Sequence, residues 1–233
     1  MNIAIIPARS GSKRIPKKNI KEFAGKPMIS YAIRVAIASK MFSKVIVSTD
    51  DHEIAEIAIE YGAEVPFLRA KDLADDFTPT VPVIVDAINN LKSLDIKISD
   101  VCCIYPCVPF LLVEDLVQAY KLIKNNSADF CFPIVEFPSS IERALKLSPG
   151  NIVKPVESKN ELQRTQDLKP AYYDAGQFYW GSATSWANSE SLHTNSIGYI
   201  IPSWRAVDID TDEDWTRAEI LNDVIKNRIK LDN

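Results

Sequence analysis

The chain has 233 residues, with 27 Lys and Arg against 31 Asp and Glu, a formal charge of −4, and 46% hydrophobic against 25% charged residues. That composition builds one large α/β domain with a real core, and its acidic balance excludes a general nucleic-acid binder, leaving positive charge as a local feature. No run approaches the length of a membrane span, and Met1 leads directly into a core-strand pattern, which predicts a cytoplasmic protein with no signal peptide.

Strand and helix patterns then alternate. Ile3–Ile6 reads as a buried strand, followed by a helix over Met28–Ser39 with Pro27 suited to its first position. Val45–Val47 is a second strand, a helix follows over Glu53–Tyr61 with Gly62 as its stop, and Glu64–Leu68 reads as a short strand. Val81–Leu91 is helical, Val101–Ile104 a strand, Val113–Lys124 a helix and Phe130–Val135 a strand. Together these predict a Rossmann-like, doubly wound and mostly parallel sheet. From about 138 to 170 the rhythm breaks into polar, Pro-containing sequence, too long for a structureless loop, and an arm packing on a partner subunit is expected. Strands are expected again at Gln177–Trp180, Gly198–Ile201 and Val207–Asp210, and a final helix is capped by Thr211 with Asp214 three residues on.

Two constellations carry chemistry. Just beyond the first strand, Arg9, Lys13, Arg14, Lys17 and Lys18 crowd a loop opened by Ser10, Gly11 and Ser12. Backbone N–H groups and cationic ends at a strand terminus make a phosphate receptor, and that placement favours it over a solvated basic turn. Neither the P-loop spacing nor a G-x-G-x-x-G fingerprint is present. The second is Asp208-Ile209-Asp210, whose carboxylates fall on one side of an extended chain and can converge on a hard cation such as Mg²⁺. Helix-terminus preference alone accounts for Asp212, Glu213 and Asp214 but less well for this pair. Cys102 and Cys103 point to opposite faces of a strand, which argues against zinc. The thiols, with Cys107 and Cys131, read as small reduced hydrophobes. His52 and His193 have no evident partner in sequence and read as surface residues.

Arg9-Ser10-Gly11-Ser12-Lys13 with Lys18-Asn19 resembles the first motif of the CMP-sialic acid synthetases, cytidylyltransferases that activate nine-carbon acidic sugars. Gly25-Lys26-Pro27-Met28, Ser48-Thr49-Asp50, Arg69, Gly176 and Asp208-Ile209-Asp210-Thr211 follow in that family's order, so the resemblance covers nearly the whole chain. The segments 101–106 and 174–180 are similar to the branch that acts on pseudaminic acid. Sialic acid enzymes usually carry Gln-Pro-Thr and Asn-Gly-Ala segments there, and Cys107-Val108 departs from the small Thr/Ala-type residues expected.

The resemblance implies a nucleotide-diphospho-sugar transferase type of fold forming one domain over 1–233, with a dimerisation arm at about 138–170. It also implies CMP transfer from CTP to a nine-carbon sugar acid, assisted by Mg²⁺. Arg9, Lys13 and Lys18 would bind the triphosphate with Ser10, Gly11 and Asn19, while Ala8, Arg69 and Thr80 would surround cytosine and ribose. Asp208 and Asp210 would hold the metal, making Arg9, Lys13, Lys18, Asp208 and Asp210 the catalytic set. Tyr105, Arg164, Gln177 and Tyr179 would line the sugar site, with Arg143, Lys146 and Arg164 reaching a partner's site in a homodimer. Sialic or legionaminic acid synthesis is the near alternative. Lys18-Asn19 speaks against the eight-carbon sugar acid enzymes, and the presence of both constellations speaks against a nucleotide-binding module without turnover.

Overall fold

The computed structural model describes residues 1–156, 164 and 167–231. A seven-stranded sheet forms its centre. The parallel strands are β1 (Asn2–Pro7), β4 (Lys44–Ser48), β5 (Asp100–Ile104), β6 (Phe130–Glu136) and β11 (Ser196–Ile200). The strand order is β11-β6-β10-β5-β1-β4, with β10 (Phe178–Ser182) antiparallel between β5 and β6 and β9 (Tyr172–Asp174) antiparallel on β6. Ile3, Ala4, Ile5 and Ile6 are all fully buried, as a strand covered on both faces requires.

Helices cover both faces. α1 (Ile29–Ser39) buries Ile29, Ala32, Ile33 and Ala36, and shares one core with α2 (His52–Glu60) and α4 (Val113–Lys124). α3 (Thr80–Ser93) buries Ile84, Ala87, Ile88 and Leu91 against the opposite face, joined there by Trp186 of α5 (Ala183–Asn188). Cys102 belongs to the first core and Cys103 to the second, so the two thiols do face opposite ways.

Three expected features differ. Pro27 does not open α1; it lies in β3 (Lys26–Pro27), paired with β2 (Glu22–Phe23) across Ala24 and Gly25, whose φ angles of 49° and 85° are those of a tight hairpin turn. Glu64–Leu68 is not a strand. Glu64 makes one parallel bridge to Ile46, and Pro66, which has no N–H, cannot extend the ladder. Val207–Asp210 is not a strand and pairs with none among the described residues, although Val207 and Ile209 are buried as its alternation predicts. In the irregular region, β7 (Leu145–Ser148) and β8 (Ile152–Pro155) form a two-stranded hairpin apart from the main sheet, turning through Gly150 and Asn151, both at positive φ.

The last helix, α6 (Asp212–Leu231), begins with a reciprocal cap. Asp214 N–H donates to Thr211 Oγ1 at 3.2 Å, while the Thr211 hydroxyl and N–H both donate to Asp214 Oδ2 at 2.7 and 2.8 Å. The Thr211 hydroxyl, more than any other group, holds the Asp214 carboxyl below the usual carboxylate range. Thr211→Ala is expected to cost about 1 kcal/mol at neutral pH. Because the folded-state value is depressed, the contribution is complete above the ordinary carboxylate range and lost as pH falls through the lowered one. Urea unfolding should show the wild type–variant gap at neutral pH shrinking as pH is lowered below the ordinary carboxylate range; a gap that persists removes the cap's ionic part.

Candidate active site

A cleft of about 470 Å³ opens at the carboxyl ends of β1 and β5, lined among others by Arg9, Lys13, Lys18, Arg69, Thr80, Tyr105 and Asp210. α1 leaves β1 on one face and α3 returns to β5 on the other, so this is the crevice at a reversal of strand order where open α/β sheets bind ligands.

The basic loop is pinned at several points. Ala8 extends the ladder by donating its N–H to Ser48 O at 2.9 Å, and Ser10 donates its N–H and hydroxyl to Asp50 at 2.9 and 2.7 Å. Buried Asn19 donates Nδ2 to Arg9 O at 2.9 Å and accepts at Oδ1 from the Cys107 thiol at 3.5 Å, fixing the loop's width. Ile15 drops into an apolar cluster with Phe23, Met28, Phe110, Val207, Ile209 and Trp215. Phe23 meets Tyr31, Phe110 and Trp215 edge-on, with centroids at 5.6, 6.4 and 5.7 Å.

That cluster sets the acidic segment beside the loop. With Val207 and Ile209 turned inward, Asp208 and Asp210 face away from the cluster. Lys18 Nζ donates to Ile209 O at 2.6 Å and to Asp210 Oδ1 at 3.1 Å, and Arg14 NH2 donates to Asp210 Oδ2 at 2.8 Å. Desolvation pushes the Asp210 carboxyl upward, but Lys18 and Arg14 outweigh it and hold it below the ordinary range. Asp208 goes the other way: desolvation, then the charge of Asp210, raise it. Two carboxylates that repel each other on one side of an extended chain suit a dication. Among the described residues, no set of three or more His, Cys, Asp or Glu could hold a metal, so a cation here would need oxygens from a bound ligand, as Mg²⁺ commonly does.

One partner of the loop escaped the sequence reading. Asp76 accepts from Arg9 NH1 at 2.6 Å and pairs with Lys13, and Arg9 also donates to Asp75 O at 2.7 Å. Lys13, then Arg9, keep the Asp76 carboxyl low. The signal was present as a cluster of acids, Asp72, Asp75 and Asp76, opposite in sign to the loop. Arg14, which sequence reading placed in the loop but not in the site, also lines the cleft.

The other expected site residues divide. Thr80, the first residue of α3, and Tyr105, just past β5, share a 2.7 Å hydrogen bond at the cleft. Arg69 reaches the cleft wall but is largely buried, with Nε donating to Ser48 Oγ at 3.0 Å and NH2 to Ser48 O. Gln177 and Tyr179 are buried and do not line the cleft. Gln177 Nε2 donates to Arg205 O at 2.6 Å, its Oε1 has no partner, and the Tyr179 hydroxyl donates to Asp174 Oδ2 at 2.8 Å. Gln177 immediately precedes β10, and its carbonyl accepts from the Tyr105 N–H at 2.8 Å, one step beyond the Phe178–Ile104 pair. Arg143, Lys146 and Arg164 lie in the 138–170 segment and are not among the residues lining the cleft.

The family model described as cytidylyltransferase matches residues 3–224. The chain belongs to the cytidylyltransferase family. It is therefore a nucleotidyltransferase. It is 42% identical over 221 residues to the pseudaminic acid cytidylyltransferase of Campylobacter jejuni, covering 94% of this chain and 95% of that protein. It is 34% identical to the CMP-N,N'-diacetyllegionaminic acid synthase of Legionella pneumophila over 226 residues, again 94% of this chain and 95% of the relative. The fold matches a solved CMP:2-keto-3-deoxy-manno-octonic acid synthetase complexed with CTP, with a TM-score of 0.67, 15% identity, and coverage of 95% and 99%. The sequence-level likeness of segments 101–106 and 174–180 to the pseudaminic acid branch agrees with the first of these relatives.

The apolar cluster is what holds the cationic and acidic halves of this cytidylyltransferase cleft in register. Trp215→Ala is expected to cost about 3–5 kcal/mol. Hydrogen exchange should speed up together in segments 9–19 and 207–210 while the α3 amides stay protected; a change confined to α6 would show the two halves to be held independently.

Proposed function

We propose that the chain transfers CMP from CTP to a nine-carbon sugar acid of the pseudaminic acid type, releasing pyrophosphate. The observation that carries this reading is the contact of Lys18 and Arg14 with Asp210, which joins the basic loop to the acidic pair in one cleft. The identities of the Campylobacter and Legionella relatives support a sugar acid as acceptor.

In this reading the sugar's anomeric oxygen forms a bond to the α-phosphorus as the bond to the bridging oxygen breaks. The electron pair leaves with pyrophosphate and the hydroxyl proton is lost. Arg9, Lys13 and Lys18 offset charge growing on the leaving group, while the loop's anchors to Asp50 and Asn19 hold those cations in place. Arg69 and Thr80, which line the cleft, would form its nucleotide side, with Ala8, Ser10 and Gly11 shaping the loop beside it, and Tyr105 would face the sugar. Asp208 and Asp210 would hold Mg²⁺, which when bound supplies positive charge to the α-phosphate and acidity to the attacking hydroxyl. Lys18 and Arg14, now on Asp210, would then turn to phosphate oxygens.

A homodimer accompanies this proposal, with the whole chain acting as one catalytic domain in the cytoplasm. Leu145, Leu147, Ile152 and Val153 of the arm hairpin are 64%, 71%, 56% and 54% exposed, an apolar surface that a partner would cover. Arg143, Lys146 and Arg164 lie on the same arm and would serve the partner's site. Gel filtration should give a dimer, and a fully active monomer would end this part of the proposal. The free thiols fit a reducing compartment, and no helix among the described residues is long and apolar enough to cross a membrane.

A coupled pyrophosphate assay with CTP, Mg²⁺ and a panel of nine-carbon sugar acids tests the reaction directly. Turnover is expected with pseudaminic acid, and a preference for legionaminic or sialic acid would move the chain to the other branch. Asp210→Ala should lower kcat on the order of a hundredfold or more with the fold intact. Near-normal pyrophosphate release by that variant would sink the metal assignment.

A further inference from the structure

We infer that Asp174 and His193, neither of which lines the cleft, are positioning residues for the sugar half of the site and act through Tyr179 and Tyr105. This rests on the proposed reading that Tyr105 faces the sugar.

The geometry begins with a break in the sheet. One edge of β6 pairs first with β9, through the Ala175 N–H that donates to Pro133 O at 3.0 Å, and then with β10; between them Gly176 and Gln177 leave β6, and Gln177 O accepts from the Tyr105 N–H at the end of β5. Gly176 sits at φ +62°, and its N–H donates to Asp174 Oδ1 at 2.8 Å. Asp174 therefore closes the turn with one oxygen and has the other free to organise side chains.

Two donors meet that second oxygen. The Tyr179 hydroxyl donates to Asp174 Oδ2 at 2.8 Å, and His193 Nε2 lies 3.0 Å from the same atom. A carboxylate only accepts, so His193 carries its proton on Nε2. The imidazole stands edge-to-face on Phe132, with centroids 5.2 Å apart and planes at 88°, and Phe132 also packs on Tyr179 at 5.5 Å. His193 is 62% exposed at its side chain, yet its ring is held by a carboxylate and an aromatic face. That is more than a solvated loop histidine needs.

The chain continues inward. Tyr179 is 4% exposed, so its hydroxyl needs a partner inside the protein, and Asp174 is that partner. The Tyr179 ring lies 5.5 Å from the ring of Tyr105. Tyr105 is also fixed by its N–H, which donates to Gln177 O at 2.8 Å, and by its 2.7 Å hydroxyl contact with Thr80. Of these groups only Tyr105 and Thr80 line the cleft. His193, Asp174 and Tyr179 form the support behind them, on the side away from the basic loop. A disturbance there reaches Tyr105 directly and Thr80 only through the Tyr105 hydroxyl, so it should be felt more by the sugar acid than by CTP.

The test is steady-state kinetics on the full-length protein, using the sugar acid that the wild type turns over. His193→Phe keeps an aromatic ring on Phe132 and removes the N–H; it should raise KM for the sugar acid roughly three- to tenfold. KM for CTP should stay within about twofold, and His193→Gln, which restores a donor, should recover most of the loss. Tyr179→Phe should shift the same constant, and the His193→Phe/Tyr179→Phe double variant should be less impaired than the product of the singles, since both act on one carboxylate. Asp174→Asn tests the hub, while the half-exposed His193 carries the test should that variant not fold. Equal changes in both KM values, fully multiplicative effects, or an unchanged sugar KM in His193→Phe would overturn the inference while leaving the proposed reaction standing. A wild type that turns over no nine-carbon sugar acid would overturn both.

Discussion

The site depends on a small apolar knot rather than on the central sheet. Ile15 comes from the basic loop, Phe23 and Met28 from the hairpin that follows it, Val207 and Ile209 from the acidic segment, and Trp215 from α6. Loop and acids lie almost two hundred residues apart, and no strand ladder joins them. Burial of these side chains is the force that brings Lys18 to Asp210, and the charges alone could not do it, because such partly exposed pairs contribute little in water. Lys21 adds to the closure by lying 4.3 Å over the Trp215 ring.

The sheet supplies the second constraint, which is direction. β1 and β5 deliver Arg9 and Tyr105 to the same edge because they are parallel neighbours. β10, antiparallel between β5 and β6, enters from that edge, so the residues before it, Asp174 to Gln177, must also lie there. The parallel strands thus carry the basic loop, and the antiparallel insertion builds the wall behind Tyr105. Gly181 shows how tightly that insertion fits: a Cβ at this position would lie 2.7 Å from the Phe130 ring.

What could be read from sequence follows from how far each signal reaches. Helices with a strong apolar stripe, such as Val113–Lys124, are legible because their pattern is internal. The Val207–Asp210 alternation was legible too, but a period of two reports which side chains are buried, and not whether a ladder partner exists. Glu64–Leu68 failed for the related reason that Pro66 limits pairing to one bridge. At the site, the loop and the acid pair stand out as local clusters of charge. Asp76 and His193 do not, since each has meaning only through a partner: Arg9 and Lys13 across the cleft, or Asp174 across a break in the sheet.

The resting charge pattern also bears on how the cleft receives its substrate. Arg9 and Lys13 lie on Asp76, and Arg14 and Lys18 lie on Asp210, so two carboxylates relieve part of the repulsion among four cations. Exposed pairs of this kind are weak and screened, which makes their carboxylates easy to exchange for phosphate oxygens carrying more charge. Asp50, Asn19 and Ile15 hold the loop's backbone through contacts that do not involve those ion pairs. Holding the backbone apart from the cations lowers the ordering cost of whatever anion the loop takes up.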